Sequence, residues 1–259
     1  MVNPVALLGA DITVGEHVAR KVGPFTFNLD TIWPTLLAAA LVALMAWVLH
    51  RKSTSGVPGK FQLVWEMGVE VVTRQVEGTM GERGLMVVPL AMSLFVFIFL
   101  CNFFEIVGLG SRYEWLAVPN ADINLPLAMA VLVIVLVHWN SVRVRGARGY
   151  LHHYVAQPFP PVLLPFNIFI NVVEEIAKPV TLALRLFGNL FSGALMLALI
   201  AALGAWTIAH FHVGYLATLI ASIIWKLFDV FLIGPIQAFI FALLTVLYFD
   251  TAMQVEPSH

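Results

Sequence analysis

Long apolar runs separated by short polar segments dominate this chain. A helix needs about 20 mostly apolar residues to cross a hydrocarbon core of ~30 Å. Residues 31–49, 85–107 and 123–142 each meet that requirement without a run of charges, with Pro89 in the first turn of the second. Trp33, Trp47 and Trp139 stand near the ends of these runs, where amphipathic rings favour the membrane–water boundary. Residues 58–79 follow a different rhythm. Phe61, Trp65, Val72 and Val76 mark one face, while Glu66, Glu70, Arg74 and Glu77 mark another, with Glu70 and Arg74 at i,i+4 spacing. That segment is too polar to cross and too amphipathic for a free loop, so the pattern predicts a helix lying in the interface.

The last hundred residues hold two longer runs. Residues 161–204 as one helix would reach ~66 Å, twice the hydrocarbon thickness. Two upright spans would need a turn, and Glu174-Glu175-Ile176-Ala177-Lys178-Pro179 is the candidate. Its Glu174 and Lys178 have helical i,i+4 spacing, which favours one long inclined helix. Residues 213–251 form a second long run, interrupted by Lys226, Asp229 and Gly234-Pro235. The expected fold is therefore an all-α integral membrane protein in a single domain over 1–259. It has about five membrane helices, two of them long and inclined at the C-terminal end, plus one cytoplasmic interfacial amphipathic helix.

Composition agrees, with 60% apolar and 11% charged residues against roughly 45–50% and ~25% in soluble domains. Cys101 is the single cysteine, so no internal disulfide is expected. No cleavable signal peptide is visible, since residues 1–29 hold one short apolar run and then Asp11, Glu16, Arg20 and Lys21. Arg51, Lys52 and Lys60 follow the first span, and Arg143, Arg145 and Arg148 follow the third. Basic loops stay cytoplasmic, which puts residues 1–29, the loop near residue 115 and the loop around His210 and His212 outside. The C-terminus is then cytoplasmic.

Charge inside the apolar runs is the sharpest chemical signal. Arg185 lies near the middle of 161–204. A guanidinium stays protonated at any reachable pH, and a charge at the bilayer centre costs between ~3 and ~17 kcal/mol. The default reading is a fixed cation on an ion path or facing a charged partner in the membrane. Asn189 is one turn further on the same face, able to bond the guanidinium or line the same cavity. Gly188, Ser192 and Gly193 suit close helix packing, or the approach of a partner helix. Lys226 and Asp229, three apart, either neutralise each other or begin a proton route that continues to Gln237. Glu174 and Glu175 are either interfacial or part of a cytoplasmic acidic site, and Asn102 with Glu105 forms another site towards the outside. Carboxylates thus lie outward (Glu105, Asp229) and inward (Glu174, Glu175) of a central cation, the layout of two half-channels that do not meet.

SGVPGKFQ (Ser55–Gln62), Asn102-x-x-Glu105, KPVTLALRLFGN (Lys178–Asn189) and QAFIFALLTVLY (Gln237–Tyr248) together resemble the subunit a family of the bacterial ATP synthase membrane sector. The resemblance spans nearly the whole chain. It implies a proton-translocating stator subunit of the bacterial plasma membrane, working with a ring of c subunits, b-type peripheral stalk subunits and the rest of the complex. Protons would pass through an outer half-channel to a ring carboxylate, travel round with the ring, and leave by an inner half-channel. Arg185 matches the family's essential arginine, Asn189 and Gln237 match polar positions near it, and Glu105 matches the outer acid. Some members carry an acid or histidine nine residues after the arginine or seven before the glutamine, where this chain has Ala194 and Val230. Asp229, with the unusual Lys226, is the expected substitute. Asn171 stands where some members have glutamate, so Glu174 or Glu175 would serve on the inner side.

Two other classes compete. A secondary transporter would show internal repeats and broken helices in matching positions, and no repeat is visible. An intramembrane enzyme would need a Ser/Lys, Asp/Asp or HExxH constellation, and none is visible; His210 and His212 read as loop histidines. No phosphate-binding loop is found, so nucleotide chemistry is expected on other subunits, with no cofactor, metal or nucleic acid on this one.

Overall fold

The computed structural model describes residues 19–22, 25–54, 56–107, 119–156, 163–210 and 214–253. Two short strands, β1 (Ala19–Val22) and β2 (Phe25–Asn28), pair antiparallel with Ala19 opposite Asn28 and Val22 opposite Phe25. This hairpin falls in the segment the apolar pattern treated only as an external stretch. Apart from it the fold is all-α: α1 (Leu29–Lys52), α2 (Lys60–Met80), α3 (Val88–Val107), α4 (Asn124–Ala156), α5 (Leu164–His210), α6 (Gly214–Phe228) and α7 (Gly234–Met253). Among the described residues, five helical runs are long and apolar enough to cross a membrane.

Three features depart from the expected outline. First, α2 does not stop before the second span. It passes through a 3-10 segment, Gly81–Val87, straight into α3. Second, α4 continues past residue 142 and carries Arg143, Arg145 and Arg148 within it. Gly146 there has φ 73° and ψ 158°, a conformation that costs a residue with a Cβ but not glycine, and the helix kinks at that point. Third, the break expected at Gly234-Pro235 is a π turn, Asp229–Ile233, that joins α6 to α7 without interrupting the helix. The long helix α5 is continuous through Pro179, as its Glu174/Lys178 spacing predicts.

Two compact units make up the chain. The first comprises Met1–Ala39, Ile98–Ile123 and Arg185–Gln237, with Ala38, Ile98, Cys101, Leu186 and Val230 in its core. The second comprises Ala40–Phe97, Asn124–Leu184 and Ala238–His259. Val76, Val133, Leu182, Phe241 and Val246 fill its core. In α2 the expected apolar face is only half used: Val72 and Val76 are buried, whereas Phe61 is exposed beside Val64 and Met67. Glu70 and Arg74 make their i,i+4 ion pair at 2.5 Å. Helix α1 leaves Trp33, Leu36, Leu44 and Trp47 exposed, and α5 does the same with Phe169, Ile176, Leu199 and Leu203. Apolar side chains shown outward along such lengths suit a lipid environment, where they cost nothing.

Candidate functional site

Helix α5 carries Arg185 on an outward face. Leu182, Ala183 and Leu186 turn inward and are buried, while Arg185 is exposed on the stripe of Ala177, Thr181 and Ser192. Among the described residues Arg185 makes no hydrogen bond or ion pair. Of the two roles open to Asn189, bonding the guanidinium or lining the same cavity, the bond is not formed among the described residues. Asn189 is half-buried, and its backbone carbonyl accepts a bond from the Ser192 hydroxyl at 2.9 Å. The small side chains on this stripe leave the guanidinium open to a partner of suitable shape.

The first unit gathers most of the other polar groups. Lys226 and Asp229 are both buried, with 8% and 2% of their surface exposed, so neither is an interfacial charge. Gln237 is buried as well. Asp229 opens the π turn, in which the N–H of Gly234 donates to the carbonyl of Asp229. Asn102 of α3 donates from Nδ2 to the Gly234 carbonyl at 3.2 Å, and its Oδ1 accepts a bond from Asn120 Nδ2 at 2.9 Å. Glu105 lies in the last turn of α3, and its side chain is outside the described residues. So are residues 108–118, 211–213 and the side chain of His210. The indole of Trp225 donates to the Gly193 carbonyl at 3.3 Å, which ties α6 to α5.

Asp122 is a buried group that the apolar pattern does not mark. It is 6% exposed, and its Oδ2 accepts from Asn28 Nδ2 at 3.0 Å and Thr31 Oγ1 at 3.1 Å. A carboxylate is buried only where donors compensate its lost hydration, and here they come from the end of β2 and the first turn of α1. No spacing in the chain announces a contact across ninety residues.

The second unit contains Glu174 and Glu175. Lys178 lies 2.9 Å from Glu175 and 3.1 Å from Glu174. Glu175 also faces His138 of α4, with Nε2 3.1 Å from its Oε2. The Tyr150 hydroxyl stands 3.4 Å from Nδ1 of the same histidine. Glu174 is mostly exposed, so the two acids are not equivalent: Glu175 is the more buried and is held by both Lys178 and His138. His138 was also missed, hidden as a single polar residue in an apolar run.

Buried and open charges set along long apolar helices define a class: a multi-pass, all-α membrane protein with polar sites built into its membrane-spanning segments. The chain belongs to the ATP synthase A chain family, whose profile matches residues 32–250. It is 42% identical over 249 residues to ATP synthase subunit a of Acidothermus cellulolyticus, covering 95% of this chain and 84% of that one. It is similarly related to subunit a of Mycobacterium ulcerans, at 40% over 266 residues and 98% of both chains. Subunit a of Coxiella burnetii is 38% identical over 242 residues, covering 90% and 87%.

Proposed function

We propose that this chain is the proton-translocating stator subunit of an ATP synthase membrane sector. It works against a ring of c subunits, held in place by b-type stalk subunits, and has no catalytic activity alone. Asn102, Glu105, Lys226, Asp229 and Gln237 line the outer half-channel, and Glu174 and Glu175 line the inner one. Arg185 and Asn189 face the ring. The N-terminal segment lies outside the bacterial plasma membrane and the C-terminus in the cytoplasm, as the basic segments near residues 51 and 143 indicate.

The single observation that carries this reading is Arg185: exposed, on a small-residue stripe of an apolar helix, with no ion pair among the described residues. A guanidinium left in hydrocarbon is costly by several kcal/mol at least. A deprotonated ring carboxylate arriving opposite it offsets that cost, and the attraction is strong where water is scarce. The same positive charge repels a proton that would step directly from one half-channel to the other. A proton must therefore neutralise the ring carboxylate, ride away from Arg185 and leave only after the ring has turned.

ATP-driven proton pumping in inverted vesicles tests this, with wild type compared to Arg185→Lys and Arg185→Ala at matched assembly. Both variants are expected to lose pumping, the lysine because it is a flexible, strongly hydrated point charge rather than a planar fork. Normal pumping by the alanine variant would overturn the proposal.

A further inference from the structure

Asp229 and Gln237 stand eight residues apart. On an unbroken α-helix eight residues leave two side chains about 80° out of phase, whereas seven leave them about 20° apart. Yet both are buried, with exposures of 2% and 8%. The reason lies between them. In the π turn Asp229–Ile233, Gly234 bonds back five residues to Asp229. Such a turn is an α-helix that holds one residue more than usual. It absorbs one of the eight and returns Asp229 to the face of Gln237. Pro235 is the local cause, because it has no N–H to donate and its ring crowds the carbonyl four residues earlier.

The turn is fastened from two directions. On one side the buried amides of Asn120 and Asn102 form a string that ends on the Gly234 carbonyl. On the other stands Gly193 of α5. A Cβ there would lie 2.5 Å from Oδ2 of Asp229 and 3.2 Å from its Cγ. The carboxylate occupies the space a side chain would take.

We infer that the π turn is a phase-setting element, and Gly193 its matching clearance, which together position the Asp229 carboxylate on the face shared by Gln237 and beside the amide string from Asn120. This rests on the reading of Asp229 as a proton carrier of the outer half-channel. The one-residue offset of the acid and the one-residue excess of the turn cancel. The turn thus acts through Asp229 without touching the proton.

The test uses the whole ATP synthase in inverted vesicles, with copurification of the complex as the measure of assembly. Deleting Phe231, which is 61% exposed, together with Pro235→Ala removes both the extra residue and the ring that opposes an α ladder, and leaves a plain α-helix with Asp229 still in phase. This variant is expected to assemble and to pump within about twofold of wild type, since a π turn less one residue is an ordinary α-helical turn. Exchanging the acid with its neighbour (Asp229→Val with Val230→Asp) keeps the composition but moves the carboxylate off the shared face, and is expected to lose pumping. Gly193→Ala, which displaces the carboxylate, is expected to lose pumping as well.

A merely structural role for the turn predicts the opposite order, with the deletion harmful and the exchange tolerated. A deletion variant that fails to assemble or to pump, or an exchanged variant that pumps normally, overturns the inference. Arg185→Ala, measured alongside, keeps the two claims apart: if it loses pumping while the phase variants behave contrary to expectation, the stator reading stands and the phase-setting role falls.

Discussion

His138 of α4 places its Nε2 3.1 Å from Oε2 of Glu175, while Lys178 reaches the other oxygen of the same carboxylate at 2.9 Å. Glu175 is therefore clamped between two helices, whereas Glu174 pairs among the described residues with Lys178 alone and is 58% exposed. Glu175→Gln is expected to slow pumping more than Glu174→Gln, by roughly tenfold if one charge-assisted bond of ~1.5 kcal/mol is lost from the working geometry. Pumping rates at matched assembly check this. Equal effects would mean that the clamp has no bearing on which acid serves.

The Asn102 amide is expected to be needed for assembly as much as for transport. Asn102→Leu has nearly the same volume but removes a donor to Gly234 and an acceptor for Asn120, all of them buried. Each orphaned buried group costs about 1–3 kcal/mol. The complex should lose thermal stability and yield, whereas Asn102→Asp should restore only the bond from Asn120. A leucine variant as stable as wild type would show that the amide string is unimportant to folding.

Asp122 pins the beginning of α1 through Asn28 and Thr31. Asp122→Ala leaves two donors without their acceptor, and amide hydrogen exchange at residues 25–35 should speed up by one to two orders of magnitude, since lost bonds of ~1–3 kcal/mol set that scale. Asp122→Asn keeps one acceptor oxygen and should lie between. Unchanged exchange in the alanine variant would refute the pinning.

Gly204 of α5 packs directly against the side chain of Thr218 on α6. Gly204→Ala overfills that contact and is expected to destabilise by about 1–3 kcal/mol. Adding Thr218→Ala should recover part of the loss, because it removes both γ atoms from the crowded space. Thermal midpoints of the purified complex report the comparison, and additive losses in the double variant would contradict the packing.

The helices were largely legible in the sequence because bilayer thickness demands a run of apolar residues that no other local pattern imitates. The continuity of α5 was readable too, since Glu174 and Lys178 keep helical spacing up to Pro179. The junction of α2 and α3 was not. Gly81-Glu82-Arg83-Gly84 looks like a loop, yet it folds as a 3-10 segment whose Gly84 packs tightly on Val76 and Met80. Arg185 announced itself by its cost in lipid. His138, Asp122 and Asn120 did not, because one polar residue in an apolar run or a turn has no period, and their partners are distant in the chain. The π turn was hidden for a different reason: Gly234-Pro235 marks the place where an α ladder fails without saying how the backbone repairs it.

The passive proton conductance of vesicles containing the assembled complex tests the barrier role of Arg185 most directly, with ATP absent and rotation blocked by the nucleotide-binding sector. Wild-type vesicles should hold an imposed pH gradient, and Arg185→Ala vesicles should dissipate it rapidly, because nothing then keeps protons from stepping between the half-channels. A gradient held equally well by the alanine variant would contradict the barrier and leave Arg185 as a residue of ring docking alone.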